Sequence, residues 1–106
     1  MFTILTIVGS IVCMITSYAD KLTSDFAEKG RHKKLSPDIH KRAMMRLVQL
    51  NNAVLLDDLR IPPSNQLEAL HGDRKGQYSI RINDQWRVCF YFSDGQASQV
   101  QITDYH

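Results

Sequence analysis

The order of patterns along this chain, helical stretches first and then strands joined by tight turns, predicts an α+β fold with an antiparallel sheet. Three observations carry that expectation. Apolar stripes at helical spacing, each with its own start signal, occupy residues 20–29 and 36–50. Alternating apolar residues, Tyr78-Ile80-Ile82 and Trp86-Val88-Phe90-Phe92, flank an Asn83-Asp84 turn. A last alternating run around Val100 and Ile102 follows a Ser93-Asp94-Gly95 turn. At 106 residues, 43% of them hydrophobic, the chain makes one domain with a single modest core.

Residues 1–19, MFTILTIVGSIVCMITSYA, carry no charged side chain. As a secretory signal the stretch lacks a basic start, although Ser17-Tyr18-Ala19 resembles a small-residue cleavage site. As a membrane span it is short and diluted by Thr3, Thr6, Gly9, Ser10, Thr16 and Ser17. The favoured reading takes Met14 as the natural start: residues 1–13 are then an apolar extension and 14–106 the domain. Residues 15–18 become a short first strand leading into a helix, and no membrane association is expected. An extra apolar strand or helix packed on the domain is the plain alternative.

The first helix, residues 20–29, sets Leu22, Phe26 and Ala27 on one face and stops at Gly30. After the basic loop Arg31-His32-Lys33-Lys34, Ser36 stands as N-cap, Pro37 at the first helical position and Asp38 in the first turn, where its charge suits the helix dipole. Ile39, Ala43, Leu47 and Leu50 form the buried side, which Met44, Met45 and Val48 widen. His40, Lys41, Arg42 and Arg46 make a basic flank directed largely elsewhere, ordinarily a solvated surface. In the connector, residues 51–65, Leu55, Leu56 and Leu59 are expected on the core, and Ile61-Pro62-Pro63 forces an extended turn.

The hairpin is expected to bury one face and expose the other. Arg81 lies opposite Ile80 and Ile82, Arg87 opposite Trp86 and Val88, and His71, Arg74 and Lys75 crowd the loop before it. Cations so placed suit a phosphate-bearing partner. The formal charge of +2 is too small to announce nucleic-acid binding by itself. Cys13 and Cys89 read as buried thiols. No Cys/His cluster has zinc spacing and no Gly-rich nucleotide loop appears, so neither metal nor cofactor is expected.

Three sequence elements in register carry a resemblance: L-x-x-L-x-G-x-x-x-G-x-x-S-I from Leu67 to Ile80, N-D-Q-W-R-x-x-F from Asn83 to Phe90, and the terminal Asp104-Tyr105-His106. With the two helices ahead of them, residues 14–106 resemble the HigB-like toxins of bacterial toxin–antitoxin modules, within the RelE/ParE superfamily. The resemblance implies two helices packed on a curved antiparallel sheet. It also implies a cytoplasmic, ribosome-dependent endonuclease that cuts messenger RNA without a metal. Its partners would be a HigA-like helix-turn-helix antitoxin, the ribosome and mRNA, with operator DNA met only through the antitoxin complex. The alternative is a superfamily member that poisons a target by contact, or that serves in antitoxin binding and operon autoregulation.

Metal-free RNA cleavage uses the 2′-hydroxyl as nucleophile, so a site needs a proton acceptor, a proton donor and cations for the phosphoryl oxygens. Arg87 is the first choice for the cation, as a bidentate fork on a strand. His106 titrates near neutrality, Asp104 lies two residues away on the same face if the strand persists, and Tyr105 offers a ring to a base. The resemblance gives these three active-site roles, with acid and base interchangeable between Asp104 and His106. Relatives often carry a His and a Lys where this chain has Glu68 and His71. His71 is therefore a candidate to stabilise phosphate or act as base, while Glu68 repels RNA unless Arg74 or Lys75 neutralises it. Arg74, Lys75 and Arg81 are candidate contacts to the RNA backbone.

Overall fold

A computed structural model describes residues 15–104; Cys13 and the extension 1–13, like Tyr105 and His106, lie outside the described residues. The first helix, α1, spans Lys21–Lys29. Asp20 caps it by accepting the Thr23 backbone N–H at 2.9 Å. Gly30, at φ 77°, ends it by donating its N–H to the Phe26 carbonyl at 2.7 Å. Phe26 is fully buried, and Leu22 and Ala27 pack beside it.

Helix α2 spans Pro37–Asn52, and Ser36 occupies the N-cap position with Pro37 behind it. The Ser36 hydroxyl does not cap the backbone; it bonds the Asp38 carboxylate instead. Ile39, Ala43, Leu47 and Leu50 are buried, as their spacing requires. Arg46 corrects the basic flank: it is 3% exposed. Its Nε donates to the Arg81 carbonyl at 2.7 Å, and its Nη2 to Ser64 Oγ at 3.4 Å. A long side chain at the edge of the apolar stripe can bury its stem and direct its donors to polar groups of neighbouring elements. Burial lowers the Arg46 pKa, and the nearby charges of Arg42 and Arg81 add to the effect.

The connector folds into two short 3-10 turns, Leu56–Arg60 and Pro63–Asn65. Leu59 reaches the core and Leu56 packs against it, but Leu55 is 64% exposed, contrary to expectation. A 3-10 turn has three residues per turn, so Leu56 and Leu59 share a face that Leu55 cannot join. The Asp58 carboxylate closes the turn by accepting the N–H groups of Leu55 and Val54, each at 3.0 Å. Those two bonds hold its pKa below the ordinary aspartate range, Leu55 contributing most.

Four strands follow: β1 (Glu68–Ala69), β2 (Tyr78–Arg81), β3 (Trp86–Ser93) and β4 (Gln96–Asp104). They pair antiparallel in the order β1-β2-β3-β4. β1 was not expected; two residues are too few to show alternation. Residues 15–18 make only isolated bridges, Ile15 to Ala97 and Tyr18 to Val100, and these are parallel, where an antiparallel sheet alone was anticipated.

Between Cys89 and Tyr91, β4 supplies one residue more than β3. The extra residue is accommodated at Gln99, whose φ is 50° and whose N–H donates to Ser17 Oγ at 2.9 Å. The bulge lets Ala97 and Val100, three apart, both turn inward. Val100 and Ile102 of β4, Val88 and Phe90 of β3, and Ile80 of β2 with Ile82 beyond its end form one apolar face under Phe26, Ile39, Ala43, Leu47 and Leu50. Two helices thus cover one side of a four-stranded sheet. Among the described residues, no helix is long and apolar enough to cross a membrane.

Candidate active site

The other side of the sheet holds the polar groups, and it is not the open surface that alternation suggests. Ser79 and Cys89 are fully buried and Arg87 is 8% exposed. The chain between β1 and β2 lies over them: Leu70 is buried, and Arg74 reaches across, its Nη2 donating to Gln101 Oε1 at 2.9 Å and its Nη1 to Gln77 Oε1 at 3.0 Å. Alternation reports that a residue leaves the helix-covered core. It does not report whether a loop covers it on the far side.

Arg87 is the centre of this face. Its Nε donates to Ser79 Oγ at 2.7 Å and its Nη2 to the Gln66 carbonyl at 2.6 Å. Nη2 also forms an ion pair with Glu68 Oε1 at 3.2 Å. Gln66, at φ 44°, ends the preceding 3-10 turn, so that turn and β1 are tied to the sheet through one guanidinium. Hydrogen bonds on several sides fix its plane, which a lone surface arginine lacks. Glu68 is therefore neutralised by Arg87, rather than by the Arg74 or Lys75 that sequence proximity suggests.

The motif residues now have physical roles. Gly72 and Gly76 both take positive φ, 64° and 97°, in the turns that carry Arg74 over the sheet. Ser79, from the same motif, receives Arg87 from the next one. Asn83 Oδ1 accepts the backbone N–H groups of Gln85 and Trp86, at 2.9 and 2.8 Å, and so sets where β3 begins. Arg87 is placed by that turn.

The remaining candidates are not all brought together. Arg81 is the register partner of Arg87 and shares its face, but its guanidinium is paired with Asp84 at the hairpin tip. His71 and Lys75 flank the short turn Gly72–Arg74 and are exposed. Asp104 pairs with Trp86, whereas Thr103 pairs with Arg87, so Asp104 lies on the opposite side of the ladder from Arg87; its Oδ2 accepts Gln85 Nε2 at 2.9 Å. Tyr105 and His106 lie outside the described residues. Burial pushes the Cys89 thiol pKa up, while the Arg74 and Arg87 charges pull it down in part, which marks both guanidiniums as neighbours of Cys89. Among the described residues, no group of three or more His, Cys, Asp or Glu is placed to hold a metal ion.

Ser79, Gln101 and the Gln66 carbonyl were missed as site residues. Ser79 was signalled by its place in the first motif, and Gln101 only by the register of β4. The Gln66 carbonyl had no sequence signal, since any residue supplies one.

Comparison with known proteins gives concordant results. The family described as "RelE-like toxin of type II toxin-antitoxin system HigB" matches residues 16–106. Toxin HigB-1 of Vibrio cholerae serotype O1 is 38% identical over 85 residues, covering 79% of this chain and 90% of that protein. Endoribonuclease HigB of Proteus vulgaris is 31% identical over 96 residues, covering 88% and 100%. Among solved structures, the YoeB-YefM complex from Staphylococcus aureus contains a chain that superposes with a TM-score of 0.52 at 19% identity, over 87% of this chain and 94% of that one.

Proposed function

From the premise that this chain belongs to the HigB-like family of RelE-like toxins of type II toxin–antitoxin systems, we propose that it is a ribosome-dependent endoribonuclease that cuts mRNA through the RNA's own 2′-hydroxyl. One observation carries the reading: both internal motifs converge on Arg87, whose guanidinium Ser79 holds at 2.7 Å. A cation fixed before substrate arrives costs no reorganisation when charge develops on the phosphoryl oxygens.

In this reading Arg87 stabilises that charge, and Arg74, Lys75 and Arg81 follow the RNA backbone. His71 adds an imidazole at the rim. Tyr105 stacks on a base, and Asp104 and His106 supply proton transfer at the chain's end. The toxin unit is 14–106, a boundary supported by a family match that begins at residue 16. It works in the cytoplasm, where ribosomes are, without a metal ion. An antitoxin neutralises it, as the solved YoeB-YefM complexes illustrate for their own chains; a HigA-like helix-turn-helix protein is the partner proposed here, and operator DNA is reached only through it.

End chemistry tests the proposal. Purified chain is added to ribosomes programmed with a defined mRNA, and to the same mRNA free in solution. Cuts only on the ribosome, leaving 5′-hydroxyl and 2′,3′-cyclic or 3′-phosphate ends, are expected. Ends carrying 5′-phosphate and 3′-hydroxyl would indicate attack by water and overturn the 2′-hydroxyl route. Equal cutting of free RNA would remove the ribosome. The burial of Arg87 favours one second reading, a toxin that acts by contact alone; growth arrest without new RNA ends would establish it.

A further inference from the structure

We infer that Gln101 is a positioning residue, holding Arg74 over the sheet so that Arg74 and Arg87 grip the scissile phosphate together; this rests on the proposed endoribonuclease reading. Cys89 of β3 pairs in register with Ser79 of β2 on one side and with Gln101 of β4 on the other. Residues directly opposite in an antiparallel ladder share a face, so these three make one row across the side of the sheet that the helices leave uncovered. Each end of the row holds a guanidinium. Ser79 Oγ accepts Arg87 Nε at 2.7 Å, and Gln101 Oε1 accepts Arg74 Nη2 at 2.9 Å. The outer members stand two strand spacings apart, about 10 Å, and the charges of both arginines act on the Cys89 thiol between them. Arg87 is buried and Arg74 only partly so. An arriving phosphate therefore meets Arg74 at the surface, with Arg87 behind it.

The Gln101 amide can serve in this way in one orientation only. Its Nε2 donates to Asp20 Oδ2 at 3.2 Å, and the other oxygen of that carboxylate caps α1 through the Thr23 N–H. Turned over, the amide would set its NH2 against a guanidinium and its oxygen against a carboxylate. Asp20 therefore fixes Gln101, and Gln101 fixes one edge of Arg74, while Gln77 Oε1 accepts Arg74 Nη1 at 3.0 Å. A guanidinium carries more N–H donors than these two bonds use, and the others can reach phosphate oxygens. A solvated loop arginine would have to give up its rotamer freedom on binding. Arg74 has its direction set before RNA arrives, as Arg87 has, and a cation so prepared stabilises developing charge without reorganising.

The test measures single-turnover cleavage on ribosomes programmed with synthetic mRNA in which either non-bridging oxygen of the scissile phosphate is replaced by sulfur, a weaker hydrogen-bond acceptor. Wild type, Gln101→Leu, Arg74→Leu and the double variant are compared. Wild type is expected to slow at both sulfur positions. Gln101→Leu should bind ribosomes as wild type does and cut the ordinary mRNA about tenfold more slowly. It should also lose the slowing at one sulfur position while keeping it at the other. Arg74→Leu should lose the same one, and the double variant should be no slower than Arg74→Leu. The ratio of sulfur to oxygen rates is taken within each variant, so a lower folded fraction does not alter it. A Gln101→Leu chain that slows at both positions would overturn the assignment, whatever its rate, and so would losses that multiply in the double variant. Slowing of wild type at one position only would also overturn it, leaving Arg87 as the single cation while the nuclease stands. A wild-type chain that cuts no mRNA would overturn both this inference and the function on which it rests.

Discussion

The two faces of the sheet are both buried at their centres, but by different means. Under the helices, Ile80, Val88, Phe90 and Val100 are fully covered by apolar side chains. On the reverse face Ser79, Arg87 and Cys89 are covered too, yet Arg87 is hydrogen-bonded to Ser79 and forms an ion pair that reaches solvent at Glu68. The first face is held by removal of apolar surface from water, which is nondirectional and tolerant of detail. The second depends on geometry, and a lost partner there leaves a polar group stranded. Stability should therefore be concentrated on one face and function on the other.

Substitutions can break that contrast or sharpen it. Phe90→Ala empties the middle of the helix-covered face and is expected to cost about 3–5 kcal/mol, measured by urea denaturation. Arg46→Ala comes next, because it strands the Arg81 carbonyl at the seam between α2 and β2; a loss of roughly 2 kcal/mol is expected. Arg87→Gln should cost only about 1 kcal/mol, since glutamine can still donate to part of the set Arg87 serves, which includes Ser79, the Gln66 carbonyl and Glu68, while RNA cleavage is abolished. If Arg87→Gln proved as destabilising as Phe90→Ala, the division between the faces would fail.

A smaller effect depends on pH. The Asp58 carboxyl has its folded pKa depressed by the N–H groups of Leu55 and Val54. Its contribution to stability is thus complete above the unfolded aspartate value, about 4, and is lost as pH falls through the lower folded value. Wild type should melt above Asp58→Asn at neutral pH, and the gap should close in acid; a gap independent of pH would argue against the shift.

The helix-covered face was legible because its signals are local. Asp20 and Gly30 bound α1, Ser36 and Pro37 start α2, and residues with periods of 3.6 and 2 mark the sides they bury. The site was legible only in part. Arg87 was found, but not its burial, because the covering loop has no periodicity that would show it folding back over the sheet. Glu68 was noticed only as a departure from its relatives, since β1 is too short to declare itself. Arg46 was misplaced because a helical wheel treats the rim of a stripe as surface, whereas the Arg81 carbonyl makes it an anchoring point. The register that pairs Asp104 with Trp86, and so turns it to the other side of the ladder from Arg87, depends on how β4 pairs, which its own sequence does not state.

The most direct measurement maps mRNA 5′ ends in cells briefly expressing wild type, Arg87→Gln, or Leu55→Ser, the last altering an exposed side chain remote from the site. New ends from wild type and Leu55→Ser, with none from Arg87→Gln at equal levels of folded protein, are the expected result. The same ends from a folded Arg87→Gln protein would contradict the placement of the nuclease on this face of the sheet.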